Sequence, residues 1–402
     1  MNVRRLESPA ANQVLVLGAA RTPFGRFGGA LRSLSSVELG AAALGDAVTR
    51  SRVPAQRIER VFLGNCMAAA TVGQVPGRQV ALRAGLPAST QIVDVNTACT
   101  SALVALDLAF DLIRHGQAQL VIAGGFESMS QVPYTLPGAR FGFRLGHGTL
   151  VDALTAALTC PITGVHMGIY ASRAALEHGI DREAQDRWAL RSQQRYQAAK
   201  ASGYFADEIG PVTVKGSGQN TTVSADEQPR PDTTYDRLSA LPPAFEAGGT
   251  VTAGNAPGLN DGAAALVLAS TSAAQELGTD PLARVIATGW AAAPPEAINI
   301  APALAARAAL ASAGLKVADI DLWEINEAFA AVTLTSVQEL GLRPEQVNVN
   351  GGSIAIGHPV GATGARILMT LLYELRRRGG GTGLASICGA GANGCAAIIE
   401  VD

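Results

Sequence analysis

The chain carries the same succession of segments twice, and this repetition restricts the fold more than any other feature. Val14-Leu-Val-Leu-Gly-Ala-Ala20 is matched in character by Arg284-Val-Ile-Ala-Thr-Gly-Trp290, and each is followed by a proline-containing turn and an alanine-rich helical stretch. Arg60-Val-Phe-Leu-Gly-Asn65 corresponds to Asp321-Leu-Trp-Glu-Ile-Asn326, and Ile92-Val-Asp-Val-Asn96 to Gln346-Val-Asn-Val-Asn350. The last pair leads into helices expected over 101–115 and 362–378, each followed by an apolar strand near 119–123 or 383–388. Strands that alternate with helices in this way predict two similar α/β halves.

Between the halves, residues from about 129 to 259 break the rhythm, with Pro133, Pro137, Pro161, Pro229, Pro231, Pro242 and Pro243 scattered through turns. The expected organisation is therefore an N-terminal half over 1–128 completed by 260–280, an inserted loop domain over 129–259, and a C-terminal half over 281–402. Within the insertion one helix stands out, from Asp181 as N-cap to Ser202, with Gly203 marking its end. Long excursions of this kind tend to carry ligand-holding loops.

The 402 residues exceed what one core usually supports, and the many Ala and Gly among them suit helices packed closely on sheets. A formal charge of −2 offers no broad attraction to polyanions, so nucleic acid is not an expected partner. Arg4 and Arg5 ahead of Val14–Ala20 faintly resemble a secretory signal, but Glu7 interrupts and the apolar run is too short; a buried strand is expected instead. No apolar run approaches the ~20 residues needed to cross a bilayer. The five cysteines (66, 99, 160, 388, 395) contain no Cys-x-x-Cys pair, which argues against a metal site and for free thiols in a reducing cytoplasm.

Three side chains carry chemistry. Cys99 stands between a strand and the run Ser101-Ala-Leu-Val-Ala-Leu-Asp-Leu-Ala-Phe110, so it is expected at the positive end of a helix, where the field lowers a thiol's pKa. His358 lies among Gly351, Gly352, Gly357, Gly361 and Gly364, where missing side chains let backbone approach a ligand. Cys388 ends a strand and opens Gly389-Ala-Gly-Ala-Asn-Gly394, whose N–H groups can converge on a developing oxyanion.

Taken in order, Arg21-Thr-Pro-Phe-Gly25, Asn96-Thr-Ala-Cys-Thr-Ser101, Gly124-Gly-Phe-Glu-Ser-Met-Ser130, His166-Met-Gly168, Thr250-Val-Thr-Ala-Gly-Asn255, Asn260-Asp-Gly-Ala263, Asn326-Glu-Ala-Phe329 and the His358 and Cys388 blocks resemble the thiolase family, most closely its biosynthetic branch. The resemblance implies a duplicated α/β/α/β/α core of five layers, with the insertion as a loop domain holding coenzyme A. It also implies a homotetramer, since Ala139-Arg-Phe-Gly-Phe-Arg-Leu-Gly146 is similar to a tetramerisation loop. No cofactor is expected to be bound permanently and no metal is implied; coenzyme A thioesters are substrates.

The activity implied is ping-pong condensation of two acetyl-CoA into acetoacetyl-CoA and CoA, and the reverse thiolysis. By the same resemblance His358 takes the proton of Cys99, the thiolate accepts the acetyl group, and Cys388 is the base for the second acetyl-CoA. His358 and a water held by Asn326 would bind the enolate oxygen, and the N–H groups of Cys99 and Ala390 the tetrahedral oxyanion. Arg230 matches a position near the adenine nucleotide, while His166, Met167, Ala253, Pro257 and Phe329 match positions along the acyl and pantetheine end.

Departures from the family pattern gather around substrate handling. Pro257 stands where a serine is common and so lacks a hydroxyl and an N–H. Cys160 and Ile298-Asn-Ile-Ala301 replace other residues, and Ala390 and Ala392 replace glycines. Other readings are a degradative 3-ketoacyl-CoA thiolase for longer or unusual acyl chains, a condensing enzyme acting on carrier proteins, and a catalytically silent paralogue that binds acyl-CoA or lipid.

Overall fold

The structure, a computed structural model, describes residues 12–402 except 217; Arg4, Arg5 and Glu7 lie outside the described residues. Strands Val14–Arg21 (β1), Gly25–Arg26 (β2), Arg60–Gly64 (β3), Gln91–Val95 (β4), Leu120–Ser128 (β5), Asn260–Ser270 (β6), Ala283–Ala292 (β7), Leu322–Ile325 (β8), Gly381–Gly389 (β9) and Asn393–Val401 (β10) form one ten-stranded sheet. Its order is β8-β9-β10-β7-β1-β6-β5-β3-β4, with β2 paired to β6. The N-terminal and C-terminal halves meet through a short antiparallel contact, Val14–Val16 of β1 against Ala283–Val285 of β7.

The principal helices are Ser36–Ser51 (α1), Ser101–Arg114 (α2), Met167–Glu177 (α3), Arg182–Ala201 (α4), Ala301–Ala313 (α5), Ala330–Leu340 (α6) and Thr363–Arg378 (α7). Strand alternation sorts the core into layers. Val14, Val16, Ala264, Leu266 and Leu268 from one half, and Ala385, Ile387, Ala397 and Ile399 from the other, pack on the central helices α2 and α7. The intervening residues Leu15, Leu17, Ala265 and Val267 turn the other way and meet α1, while Leu384, Ala396 and Ile398 meet the helical layer that contains α5 and α6. The result is helix, sheet, helix, sheet, helix, the five-layered α/β core that the family resemblance implies.

Small residues let these layers approach. A methyl group on Gly289 would lie 2.2 Å from the Ala309 nitrogen of α5, and one on Gly125 would lie 1.9 Å from the Gly361 carbonyl. The second approach seats the loop after His358 against the end of β5.

Two expectations are corrected. The segment 346–350 is no strand; only Val347 makes a bridge to Trp323. Asn348 turns to φ 49°, and its side-chain amide takes over the pairing: Oδ1 accepts from the Ile325 N–H and Nδ2 donates to the Ile325 carbonyl, both at 2.8 Å. The insertion also holds a second long helix, α3, besides α4. Helix α4 begins as expected, with the Asp181 side chain accepting from the Ala184 N–H, and Gly203 follows its end at φ 75°.

A buried ion cluster fastens the insertion to both halves. Arg21 of β1 donates from Nε to Glu208 at 2.9 Å and from both Nη atoms to Asp226 at 2.7 and 3.0 Å. Tyr196 of α4 also reaches Asp226, and Thr370 of α7 donates to Glu208 at 3.2 Å.

Candidate active site

Cys99 follows β4 and immediately precedes α2 on a strained elbow. Ala98 is held at φ 56°, a left-handed conformation that costs an alanine about 1–2 kcal/mol. Its carbonyl accepts from the Ser101 N–H at 3.0 Å, the Ser101 hydroxyl at 2.6 Å and the Cys66 thiol at 3.2 Å. Ser101 Oγ also accepts from the Thr97 N–H. These bonds offset the strain and set the direction in which Cys99 leaves the turn.

The thiol does not have the lowered pKa that its place before a helix led us to expect. Burial pushes it up to about 12, against the help of a backbone N–H, and the nearby carboxyl of Glu127 adds to the rise. Removal from water outweighs the helix field.

His358 is 7% exposed, and burial lowers its pKa to about 3, with Arg366 contributing, so the imidazole is neutral. The backbone N–H of His358 donates to Asn260 Oδ1 at 2.9 Å, and the ring Nδ1 lies 2.7 Å from Thr363 Oγ1. The Thr363 hydroxyl spends its own proton on the Pro359 carbonyl at 2.9 Å. It therefore accepts from Nδ1–H, which leaves the lone pair on Nε2, an atom with no hydrogen-bond partner.

Cys388 closes β9 and is buried; burial raises its pKa strongly, and the neighbouring Cys99 adds to the shift. The turn behind it, Ala390–Ala392, places Ala392 at φ 58°, so one alanine that replaces a glycine occupies glycine's conformation while Ala390 does not. Asn326 sits just past β8, fully buried, with Oδ1 accepting from the Ser353 hydroxyl at 2.6 Å and Nδ2 without a partner.

A cavity of about 430 Å³ joins these groups. Cys99, His358, Cys388 and Ala390 border it, as do Arg230, His166, Met167, Ala253, Pro257 and Phe329. Asn326 is the exception and lies outside the lining. The walls are mainly apolar, and Arg230 is their one guanidinium; it donates to the Ala253 carbonyl at 3.1 Å and has no carboxylate partner among the described residues. Such a space suits a largely apolar ligand with an anionic group for Arg230. Among the described residues no cluster of three or more His, Cys, Asp or Glu could hold a metal ion, and no helix is long and apolar enough to cross a membrane.

His166 caps α3 by accepting the Gly168 N–H on Nδ1 at 3.0 Å, which leaves its Nε2 as the donor. Its ring stacks on Phe245 at 4.4 Å, and Phe245 meets Phe329 edge-on at 6.1 Å. Phe245 and Thr363 were not anticipated: the first follows two prolines with no motif around it, whereas the second lies in the His358 block. The departures Cys160, Ile298, Ala301 and Ala392 pack in one cluster with Met167 and Cys388.

Comparison with known proteins adds to this geometry. Residues 14–272 match the model of the thiolase N-terminal domain and 279–401 that of the thiolase C-terminal domain. The chain is 44% identical over 393 residues to an acetyl-CoA acetyltransferase of Syntrophomonas wolfei, covering 96% of this chain and 99% of that one. The crystal structure of the Bacillus anthracis acetyl-CoA acetyltransferase superposes with a TM-score of 0.96 at 42% identity, covering 98% of this chain and all of the other. Human mitochondrial 3-ketoacyl-CoA thiolase gives 0.95 at 39% identity, with the same coverage.

Proposed function

The chain belongs to the thiolase family, and from that premise we propose that it is an acetyl-CoA C-acetyltransferase, joining two acetyl-CoA into acetoacetyl-CoA and CoA and catalysing the reverse thiolysis. The observation that carries this reading is that Cys99, His358 and Cys388 border one apolar cavity. Relatives named acetyl-CoA acetyltransferase match along nearly the whole chain.

In this mechanism Nε2 of His358 takes the Cys99 proton as the sulfur attacks the thioester carbon. The C–S bond to coenzyme A breaks, and the departing thiolate takes the proton of Cys388, which leaves that sulfur as a thiolate while His358 keeps the proton from Cys99. Because burial disfavours both the thiolate and the imidazolium, the ion pair arises only as the substrate carbonyl takes up the charge. The N–H groups of Cys99 and Ala390 hold that oxyanion. Cys388 then removes an α-proton from the second acetyl-CoA, the enolate oxygen being held by His358 and an Asn326-bound water. The new C–C bond forms as the acetyl group leaves Cys99, whose thiolate takes its proton back from His358, and Cys388 keeps the α-proton, so both thiols are restored.

Arg230 takes the phosphate end of coenzyme A, while His166, Met167, Ala253, Pro257 and Phe329 line the path of its pantetheine arm. No permanently bound cofactor enters these steps. The protein acts in the cytoplasm, in lipid metabolism, as a homotetramer; the loop over 139–146 supports self-association, with Phe141 93% and Leu145 96% exposed. A second reading, a 3-ketoacyl-CoA thiolase for longer chains, draws support from the likeness to the human mitochondrial enzyme.

Brief exposure to radiolabelled acetyl-CoA tests the proposal: one acetyl group per subunit on Cys99 is expected, and label elsewhere would refute it. Thiolysis rates over a series of 3-ketoacyl-CoA chain lengths separate the two readings.

A further inference from the structure

An asparagine amide is nearly symmetric in shape, so which end faces a ligand is decided by its hydrogen-bond partners. Asn326 Oδ1 is 2.6 Å from Ser353 Oγ, and Ser353 Oγ is 2.7 Å from Arg366 Nη2. All three side chains are buried. A guanidinium has donors only. Ser353 therefore accepts from Arg366, and its own hydrogen is free to go to Asn326. A reversed amide would leave that buried hydroxyl proton without an acceptor, which is unfavourable away from water. The observed orientation leaves Nδ2, the donor end, as the unpaired group.

We propose that Ser353 is a positioning residue, which relays the donor-only character of buried Arg366 to Asn326 and so fixes the amide with its N–H groups available to the reacting thioester oxygen through water. Arg366 is itself anchored at 3.5 Å by Glu324 of β8, and Asn326 follows two residues later, one position past the end of that strand. Burial raises the Glu324 pKa to about 8, yet the relay does not depend on that carboxyl's charge, because Arg366 cannot accept in either case. Ser353 also opens the short helix Ser353–Ile356, whose end leads directly to His358. One loop thus carries the candidate base and orients the amide that works beside it.

This inference rests on the role proposed for Asn326 and is tested by a double-mutant cycle with Ser353→Ala, Asn326→Ala and the pair. Ser353→Ala should lower kcat for acetoacetyl-CoA thiolysis about tenfold with KM within about twofold, since the lost interaction acts on the transition state. Acetylation of Cys99, followed by intact mass, should stay near the wild-type rate. The pair should be no slower than Asn326→Ala alone, and Ser353→Thr, which keeps the hydroxyl, should restore most of the rate. Additive losses, or wild-type kcat in Ser353→Ala, would overturn the relay. If the alanine variant fails to fold, Ser353→Cys fills the same space with a weak donor and should show the same selective loss in kcat. A wild-type protein inert toward acetoacetyl-CoA would instead sink the functional reading beneath it.

Discussion

Nδ1 of His358 and the hydroxyl of Thr363 are joined by a 2.7 Å bond that spans the start of α7. It ties the orientation of the imidazole to the helix behind it and keeps Nε2 as the basic atom. Replacing Thr363 by Val removes the acceptor, leaves a buried N–H unsatisfied and frees the ring to change tautomer. A loss of about 1–3 kcal/mol, roughly fivefold to 160-fold in kcat, is expected, while Thr363→Ser should retain most activity. An unchanged kcat in the valine variant would show that the bond is dispensable.

The neutral state of His358 makes stability depend on pH. Its pKa is down at about 3 in the folded chain against 6.5 for the free side chain, so the unfolded state takes up a proton first and stability falls as the pH drops below about 6.5. Glu127 has the opposite sign. Burial raises it to about 7, and its contribution is lost as the pH rises from about 4.5 toward 7. The His358→Asn variant removes only the first effect. Between pH 7 and 4.5 its melting temperature should fall less than that of the wild type; parallel curves would contradict a buried neutral imidazole.

The elbow at Ala98 gives a prediction in which stability and activity move apart. Ala98→Gly relieves the φ 56° strain, worth about 1 kcal/mol after allowing for the added freedom of the unfolded chain. It also loosens the direction of the Cys99 thiol. The melting temperature should hold or rise while the rate of Cys99 acetylation falls severalfold. A faster enzyme would show that the strain does not serve the nucleophile.

Arg230 borders the cavity without a carboxylate partner. Arg230→Ala should raise KM about tenfold for acetoacetyl-CoA, equivalent to about 1.4 kcal/mol, and leave kcat nearly unaltered. With a thioester truncated at pantetheine, which carries no nucleotide, the variant and wild type should behave alike. Equal penalties on both substrates would place the arginine's effect elsewhere.

Much of the architecture was legible from the chain because the two halves repeat their strand-to-helix succession, and the thiols and His358 stand at the joints of that succession. What was missed has specific causes. Asn348 looks like a strand residue, but its amide imitates a neighbouring backbone, which no alternation pattern can reveal. Helix α3 went unmarked because its cap is a histidine, outside the usual Ser, Thr, Asp and Asn. The pKa of Cys99 was expected in the wrong direction because a helix start is visible in sequence whereas depth of burial is not. Thr363 and Ser353 act through partners brought to them by folding, so spacing alone could not single them out.

The cluster of Arg21, Glu208, Asp226, Tyr196 and Thr370 has a consequence for how a ligand enters. A carboxylate or guanidinium pulled from that dry interior would be stranded without its counter-charge, a loss of about 3–5 kcal/mol. Swinging the insertion away as a hinged cover would require that rupture at every turnover. The insertion should therefore melt in the same transition as the sheets it is bolted to, and a scan that resolved two transitions would show the cluster to be a weak fastening.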